Sequence, residues 1–200
     1  MTSVLEYKHS KYNRNKTYFA CFLVSNGIED PENDGCIARN RFFHKLSLYK
    51  KVVSGSKYLN TESTIIPKEK TREWLSKCKF VIAFENKTSE GYVTTKPFQA
   101  YLAGAVPIIY YADKSYIKDV NPNSVIFVKD YSEEDLYNYI IPVDKDDEKY
   151  YKIYRLYRLQ KKITSIKYKL KTIFIISIII ICLSLLFIFL KTYQIGSCST

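Results

Sequence analysis

The amino-acid sequence predicts an α/β protein whose core is a parallel β-sheet covered by helices on both faces, followed by a C-terminal transmembrane helix. Short segments that are apolar throughout alternate with segments of helical periodicity, which is typical of parallel sheets buried on both sides. Near the C-terminus, residues 172–190 form a run without a single charge. Since about 20 apolar residues cross the hydrocarbon core of a membrane, this run is long enough to span it.

The elements of the α/β region are predicted from the spacing of apolar residues. Apolar, aromatic and β-branched runs predict strands, and apolar residues three or four positions apart predict helices. Gly104 is typical of the residue just beyond a helix, and Ser132 with the acidic residues after it is typical of a helix start. The predicted strands are 17–24, 51–53, 79–84, 106–111 and 124–128, and the predicted helices are 37–49, 68–77, one from about 95 to Gly104, and one that begins at Ser132.

A polar loop between the third strand and the third helix first suggests a function. It holds Asn86, Tyr92 and Lys96, and Pro97 predicts that a helix begins near residues 94–96, because proline is tolerated in the first turn. We expect a threonine hydroxyl to cap this helix. Free backbone N–H groups beside a lysine suit an anion such as phosphate, and ligands of parallel sheets bind outside the carboxyl ends of the strands. The sequence therefore predicts a nucleotide or phosphate site here, and no glycine-rich or Walker motif identifies the nucleotide.

The net charge of +11 is concentrated next to the apolar run. Residues 152–171 carry eight lysines and arginines and no acidic residue, which leaves +3 for the rest of the chain. This distribution suits anionic lipid headgroups, so we expect a membrane and no nucleic acid as partner. The interleaved tyrosines and isoleucines fit a basic amphipathic helix on the membrane surface, and they fit a solvated charged linker equally well.

The cysteines and acidic pairs do not predict a metal site. The five cysteines form no C-x-x-C pair, and Cys21 and Cys78 border apolar runs, so we expect small buried residues rather than a disulfide framework. Asp144 and Asp146 match a D-x-D pattern, which we interpret as part of a solvated charged face. We therefore predict no metal ligand.

Five motifs in the α/β region are specific enough to indicate a family. They are FLVSN at 22–26, ARNRFFHKLSLYKKV at 38–52, CKFVIAFEN at 78–86, GYVTTK at 91–96 and AYLAGAVPIIY at 100–110. In this order they resemble the donor-binding, C-terminal half of the α-1,3-fucosyltransferases, glycosyltransferase family ten. The resemblance extends over residues 17–151.

The resemblance implies transfer of L-fucose from GDP-fucose to a glycan hydroxyl, with inversion, in protein glycosylation. It also implies the GT-B architecture of two Rossmann-like domains, of which this chain matches the donor-binding one. GDP-fucose would be a substrate, so no cofactor is expected. A glycan acceptor and a membrane would be the other partners.

The resemblance also implies roles for individual residues. Arg39 would bind the pyrophosphate, Lys96 would be the second phosphate cation, and Asn86 and Tyr92 would line the pocket around the sugar and the nucleoside. Fixed cations there would stabilise the charge that develops as GDP departs. Thr95 stands where the family motif G-Y-V-T-E-K has a glutamate that contacts the donor.

Two hypotheses about function follow from this comparison of motifs. The first is a fucosyltransferase whose acceptor domain, with the general base, comes from a separate chain or from sequence outside this one. The second is a membrane-anchored protein that binds a GDP-sugar or acts as a scaffold without transfer. Thr95 and the unassigned catalytic residues favour the second hypothesis, whereas the matching donor-site residues favour a functional pocket.

The expected domain organisation leads to two views of localisation. The family resemblance implies a single-pass protein of the Golgi membrane. The first 16 residues have no apolar core, so no signal peptide is expected, and the positive flank before the apolar run predicts a tail anchor with the domain facing the cytosol. The expected segments are a polar segment 1–16, the donor-binding domain 17–151, a basic juxtamembrane segment 152–171, the transmembrane helix 172–190 and a tail 191–200.

Overall fold

A parallel sheet forms the core of the computed structural model, which describes residues 16–89, 92, 94–110, 121–128 and 132–197. The sheet has five strands in the order β2-β1-β3-β4-β5, and every neighbouring pair is parallel. The strands are β1 Tyr18–Phe22, β2 Val52–Ser54, β3 Cys78–Ile82, β4 Val106–Tyr110 and β5 Ile126–Val128. The predicted parallel sheet is confirmed, and each strand overlaps the apolar run that predicted it.

Helices connect the strands at the predicted places. The third helix ends as expected, because Gly104 follows it with a φ of +74°, a left-handed conformation that suits glycine. The Ser132 hydroxyl accepts a hydrogen bond from the Asp135 backbone N–H, as expected for a helix start. The helices are α1 Asp34–Tyr49, α2 Thr71–Ser76, α3 Lys96–Leu102, α4 Glu133–Asp135, α5 Ile141–Lys145 and α6 Asp147–Ser197, and a π-helical turn Leu136–Ile140 joins α4 to α5.

Side chains that alternate along the strands build two apolar cores, one on each face of the sheet. Phe22 and Phe80 lie in one core, to which α1 contributes Phe42. Val81 lies in the other core, to which α2 contributes Trp74. Burial of a side chain of this size contributes about 1.5–3 kcal/mol. Because both faces of the sheet are covered, side chains on both sides of each strand are buried. Each strand therefore appears in the sequence as a continuous apolar run.

Cys21 and Cys78 correct an expectation. Both are fully buried, as predicted, but the structure joins them in a disulfide between β1 and β3, with a Cα–Cα distance of 5.8 Å. The two strands are neighbours in the sheet although the cysteines are 57 residues apart in the chain. Without a local C-x-x-C signature, this long-range pairing had no signal in the sequence.

The chain divides into two units, Met1–Tyr157 and Arg158–Thr200. The first unit contains the sheet. In the second unit the chain is helical as far as Ser197. The stretch Ser165–Leu186 is long and apolar enough to cross a membrane, and none of it is buried within the protein. The predicted C-terminal membrane helix is therefore confirmed as a candidate span by length and composition.

The carboxylate of Asp144 ties α5 to α1 and β3. It accepts a hydrogen bond of 2.9 Å from the Tyr49 hydroxyl and forms ion pairs with Lys50 and Lys79. The side chain is only 4% exposed, so our interpretation of Asp144 as part of a solvated face is wrong. Burial by itself raises the pKa of Asp144, but the hydrogen bonds from Lys50 and Tyr49 and the charge of Lys79 lower the pKa below its usual range.

We expect Asp144→Asn to lower the free energy of unfolding by about 3 kcal/mol at neutral pH, the scale for removing one partner of a buried ion pair. The folded-state pKa of Asp144 lies below the unfolded-state value of about 4, so its stabilisation is complete above that value. The stabilisation is lost as the pH falls through the folded-state pKa. Urea unfolding of the full chain in detergent, followed by the fluorescence of the single, buried tryptophan Trp74, measures this difference at each pH.

Asp146→Asn is the matched control for this measurement. Asp146 accepts a hydrogen bond from the Lys149 backbone N–H at the start of α6, a role that asparagine performs equally well. Its ion pair with Lys149 lies at the surface, so we expect a change below about 0.5 kcal/mol. Equal destabilisation by both substitutions, or an Asp144→Asn effect that persists undiminished in acid, would contradict the assignment.

Candidate functional site

The order of the strands places a crevice between the ends of β1 and β3. The order β2-β1-β3-β4-β5 is a doubly wound arrangement whose direction reverses at this pair. Ligands of such sheets bind outside the carboxyl ends of the strands at the point of reversal. Asn26 follows β1 there, and Glu85 and Asn86 follow β3.

The first turn of α1 packs directly on the chain that leaves β3. Gly35 permits this approach, because a Cβ atom at this position would lie 2.3 Å from the Glu85 carbonyl oxygen. The Cys36 backbone N–H donates to the Asn86 carbonyl oxygen at 3.0 Å, and the Asp34 carboxylate accepts hydrogen bonds from the Thr88 hydroxyl and backbone N–H. These contacts fix the position of α1, and therefore of its side chains, relative to the end of β3.

Arg39 of α1 is fully buried between the ends of β1 and β3. Its Nη1 donates to the Asn86 Oδ1 at 2.7 Å, and its Nη2 donates to the Asn26 carbonyl oxygen at 2.7 Å and to the Cys36 sulfur at 3.3 Å. Its Nε has no hydrogen-bond partner among the residues that the structure describes. Burial lowers the pKa of Arg39, an effect partly offset by Cys36, Tyr58 and Glu85. A guanidinium stays protonated under these conditions, so Arg39 brings a permanent positive charge to the site.

Lys96, the first residue of α3, brings a second positive charge to the same amide. Its Nζ donates to the Asn86 Oδ1 at 3.2 Å and lies 3.0 Å from the Glu85 carboxylate. The Asn86 side-chain oxygen therefore lies between two cations. The Lys96 side chain remains 29% exposed, in contrast to the buried Arg39. The structure thus brings together three of the five residues predicted for the site.

Thr95 and Tyr92 are placed differently. The helix begins at Lys96, within the predicted range, but the residue at its N-cap position, Thr95, makes no capping hydrogen bond through its side chain, so the expected threonine cap is not formed by Thr95. Thr95 has helical dihedral angles and an exposed side chain, and the Thr94 hydroxyl instead accepts a long bond of 3.4 Å from the Lys96 N–H. Tyr92 is 42% exposed, and its N–H donates to Ser89. The remaining part of the predicted loop, residues 90, 91 and 93, lies outside the described residues.

Glu85 is the residue of the site that the sequence analysis missed. Its side chain is buried, and its carboxylate accepts hydrogen bonds from the Thr94 N–H and hydroxyl at 2.7 Å in addition to the ion pair with Lys96. A signal was present in the sequence, since an acidic residue at the end of an apolar strand needs a partner when it is buried. The lysine ten or so positions later supplies that partner.

These contacts indicate a site for an anion. Two cations and one carboxylate surround the Asn86 amide, which leaves a net positive charge, and guanidinium and ammonium groups are the usual partners of phosphate. The helix α3 has only 7 residues, so the cations rather than the helix end supply most of this preference. Fold and site together define a doubly wound α/β protein with a cluster of cationic side chains at the point where the strand order reverses.

Comparison with known proteins identifies the family. The profile of glycosyltransferase family 10 (fucosyltransferase), C-terminal part, matches residues 13–185. The chain is 31% identical over 141 residues to the 4-galactosyl-N-acetylglucosaminide 3-alpha-L-fucosyltransferase 9 of Bos taurus. This alignment covers 68% of this chain and 36% of that protein. It is 34% identical over 120 residues to the alpha-(1,3)-fucosyltransferase FucT of Helicobacter pylori, which covers 60% of this chain and 23% of that protein.

A solved structure agrees with these relatives. The crystal structure of an alpha1,3-fucosyltransferase with GDP-fucose matches with a TM-score of 0.58 and 30% sequence identity, over 70% of this chain and 38% of that chain. The chain therefore belongs to glycosyltransferase family 10, the fucosyltransferases. It spans between about a quarter and two fifths of the length of these curated relatives and this structure: 36% of the Bos taurus protein, 23% of the Helicobacter pylori protein and 38% of the crystallised chain.

Proposed function

We propose that this chain supplies the donor half of a fucosyltransferase and binds GDP-fucose outside the carboxyl ends of β1 and β3. The observation that carries the proposal is the Asn86 side-chain oxygen held between Arg39 and Lys96 at this position of the sheet. The structure of the family member with GDP-fucose supports the choice of donor. The transfer would proceed with inversion to a hydroxyl of a glycan.

In this proposal the two cations act on the diphosphate. Negative charge builds on GDP as the bond to fucose breaks, and cations that are already in place stabilise this charge without reorganising. Lys96 is the more accessible of the two, so it meets a phosphate first. Arg39 is fully buried, so it acts at first through Asn86, and direct contact with a phosphate requires the chain after β3 to move aside.

The rest of the donor would lie along the loop before α3. Asn86 and the exposed Tyr92 are proposed to contact the sugar and the nucleoside, and Thr95 occupies the position next to Lys96. The acceptor glycan and the general base would come from a domain that the residues described here do not include, either on a separate chain or elsewhere in a longer one. We propose residues 17–151 as the donor-binding domain.

A second candidate function is binding of a GDP-sugar without transfer. Thr95 favours it, because the family motif has a glutamate at this position, and a threonine side chain is too short to replace its contacts with the donor. Calorimetric titration of the full chain in detergent with GDP-fucose, GDP and GDP-mannose tests both candidates. We expect GDP-fucose and GDP to bind. If none of the three binds, the shared fold has not preserved the donor site.

We expect Lys96→Ala to weaken GDP binding by about 1.5–3 kcal/mol, the range for hydrogen bonds to charged groups. Lys96→Arg should recover only part of the loss, since a planar guanidinium does not replace a point charge. Titration of GDP into each variant measures the change. Lys87→Ala, an exposed lysine of the same loop, is the control and should bind like the parent. Equal affinities for all variants would show that Lys96 is merely a solvated residue at a helix start.

We expect Thr95→Glu to tighten the binding of GDP-fucose by about 1–3 kcal/mol, the scale of one charge-assisted hydrogen bond. Because Thr95 is exposed and caps nothing, the substitution leaves the fold intact, and an acidic residue at a helix start is favourable. The affinity for GDP, which lacks the sugar, should not rise. Parallel titrations with the two ligands measure this difference, and an equal gain for both would mean that the new carboxylate does not act on the sugar.

We also propose that the apolar run 172–190, which overlaps the candidate span Ser165–Leu186, anchors the protein in a membrane. The lysines and arginines of residues 152–171 favour the cytosolic side for the domain. The Cys21–Cys78 disulfide favours the lumenal side instead, because disulfides persist in oxidising compartments. The sequence has two N-x-T glycosylation sequons, at Asn15 and Asn86. They distinguish the two orientations, since only a lumenal domain meets the glycosylation machinery.

We expect the protein made in microsomes to carry no endoglycosidase-sensitive sugar and its domain to be digested by added protease, as the charge distribution requires. Gel mobility before and after each treatment is the measurement. A sugar on Asn15 or on Asn86 would contradict the cytosolic orientation. In that case the disulfide, rather than the flanking charge, would be the better indicator of the compartment.

A further inference from the structure

We propose that Glu85 is the positioning residue of the site, whose carboxylate holds the Lys96 ammonium in the place where it meets a diphosphate. The identity of the ligand rests on the proposed function, whereas the hold on Lys96 is a property of the chain alone. Glu85 is assigned no contact with the ligand, because a carboxylate repels a phosphate at short range.

The Glu85 carboxylate bonds both to Thr94, at the end of the loop, and to Lys96, the first residue of α3. Glu85 lies three residues beyond the end of β3, and its side chain is 0% exposed. One oxygen lies 3.0 Å from the Lys96 Nζ, and the carboxylate also accepts bonds of 2.7 Å from the Thr94 N–H and hydroxyl. Glu85 therefore fastens the residues immediately before and at the start of α3 to the end of β3.

This arrangement lowers the entropy that a lysine side chain loses when it binds an anion. A lysine side chain is long and flexible, and much of its rotamer freedom is lost when it binds an anion. The bonds to Glu85 and Asn86 hold the Lys96 ammonium before a ligand arrives, so less is lost on binding. An ammonium has three N–H donors, and the bonds to Glu85 and Asn86 use two of them.

The charges of the site also indicate that Glu85 holds Lys96 in place. Arg39 and Lys96 both donate to the Asn86 oxygen, and two cations on one neutral acceptor repel each other. The buried carboxylate of Glu85 offsets one of these charges, and a buried carboxylate itself requires a charged partner. Without Glu85, Lys96 is expected to turn away from Arg39 toward solvent.

Chemical labelling without any ligand tests this hold directly. The full chain in detergent is treated with an amine-reactive reagent, and the modification rates of individual lysines are read by mass spectrometry. We expect Lys96 to react more slowly than the exposed Lys87 of the same loop. Glu85→Gln should raise the Lys96 rate about tenfold, the scale of one charge-assisted hydrogen bond, and leave the Lys87 rate unchanged.

Two further variants complete the labelling experiment. Glu148→Gln makes the same chemical change at an exposed position of α6 and should leave the Lys96 rate unchanged. Thr94→Val removes a hydroxyl bond to Glu85 but keeps the carboxylate, so it should raise the Lys96 rate by a smaller factor. It also serves as the test if Glu85→Gln does not fold. A Lys96 rate that responds to neither site-directed change overturns the proposal.

GDP binding then tests whether the hold matters for a ligand. We expect Glu85→Gln and Lys96→Met each to weaken binding about tenfold, and the double variant to bind no more weakly than Lys96→Met alone, because Glu85 acts through Lys96. Tighter binding by Glu85→Gln, or additive losses in the double variant, would overturn the positioning role. If the parent does not bind GDP while labelling behaves as expected, the proposed function fails and the hold on Lys96 stands.

Discussion

The buried guanidinium of Arg39 is the constraint on which the arrangement of the site depends. A charge without access to water must be given hydrogen-bond partners, and leaving it unpaired costs several kcal/mol. Its partners come from the end of β1, from the first turn of α1 and from the end of β3, in Asn26, Cys36 and Asn86. One side chain therefore ties together the three segments that meet where the strand order reverses.

The other contacts of the site extend this arrangement outward. Gly35 lets α1 approach the backbone after β3, which brings Arg39 within reach of Asn86. Asn86 in turn accepts from Lys96, and Glu85 holds Lys96 from the opposite side. Positive charge extends from the buried Arg39 to the partly exposed Lys96, so an anion that approaches from solvent first meets a cation that Glu85 and Asn86 hold in place.

Much of this fold was predictable from the sequence, because the strands of a sheet buried on both faces are uninterrupted apolar runs. The ends of α3 were predictable from Pro97 and Gly104, whose backbone preferences are local. The Cys21–Cys78 disulfide and the burial of Asp144 were not predictable, since each depends on partners more than 50 residues away in the chain. Asn86 and Lys96 were indicated by the polar loop before α3, Arg39 was assigned only by resemblance, and the role of Glu85 depends on contacts that only the folded structure shows.

The chain corresponds to only part of the length of its relatives. The chain matches 36% of the length of the Bos taurus relative and 23% of the Helicobacter pylori relative, and the matching part carries Arg39 and Lys96, the two cations proposed to bind a diphosphate. Hydrogen–deuterium exchange of the full chain in detergent, with and without GDP-fucose, tests this account most directly. We predict slower exchange in residues 26–39 and 85–96 and no change in α5, at the other end of α1 and β3. Unchanged exchange in both segments, or protection confined to other parts of the chain, would contradict a donor site between the ends of β1 and β3.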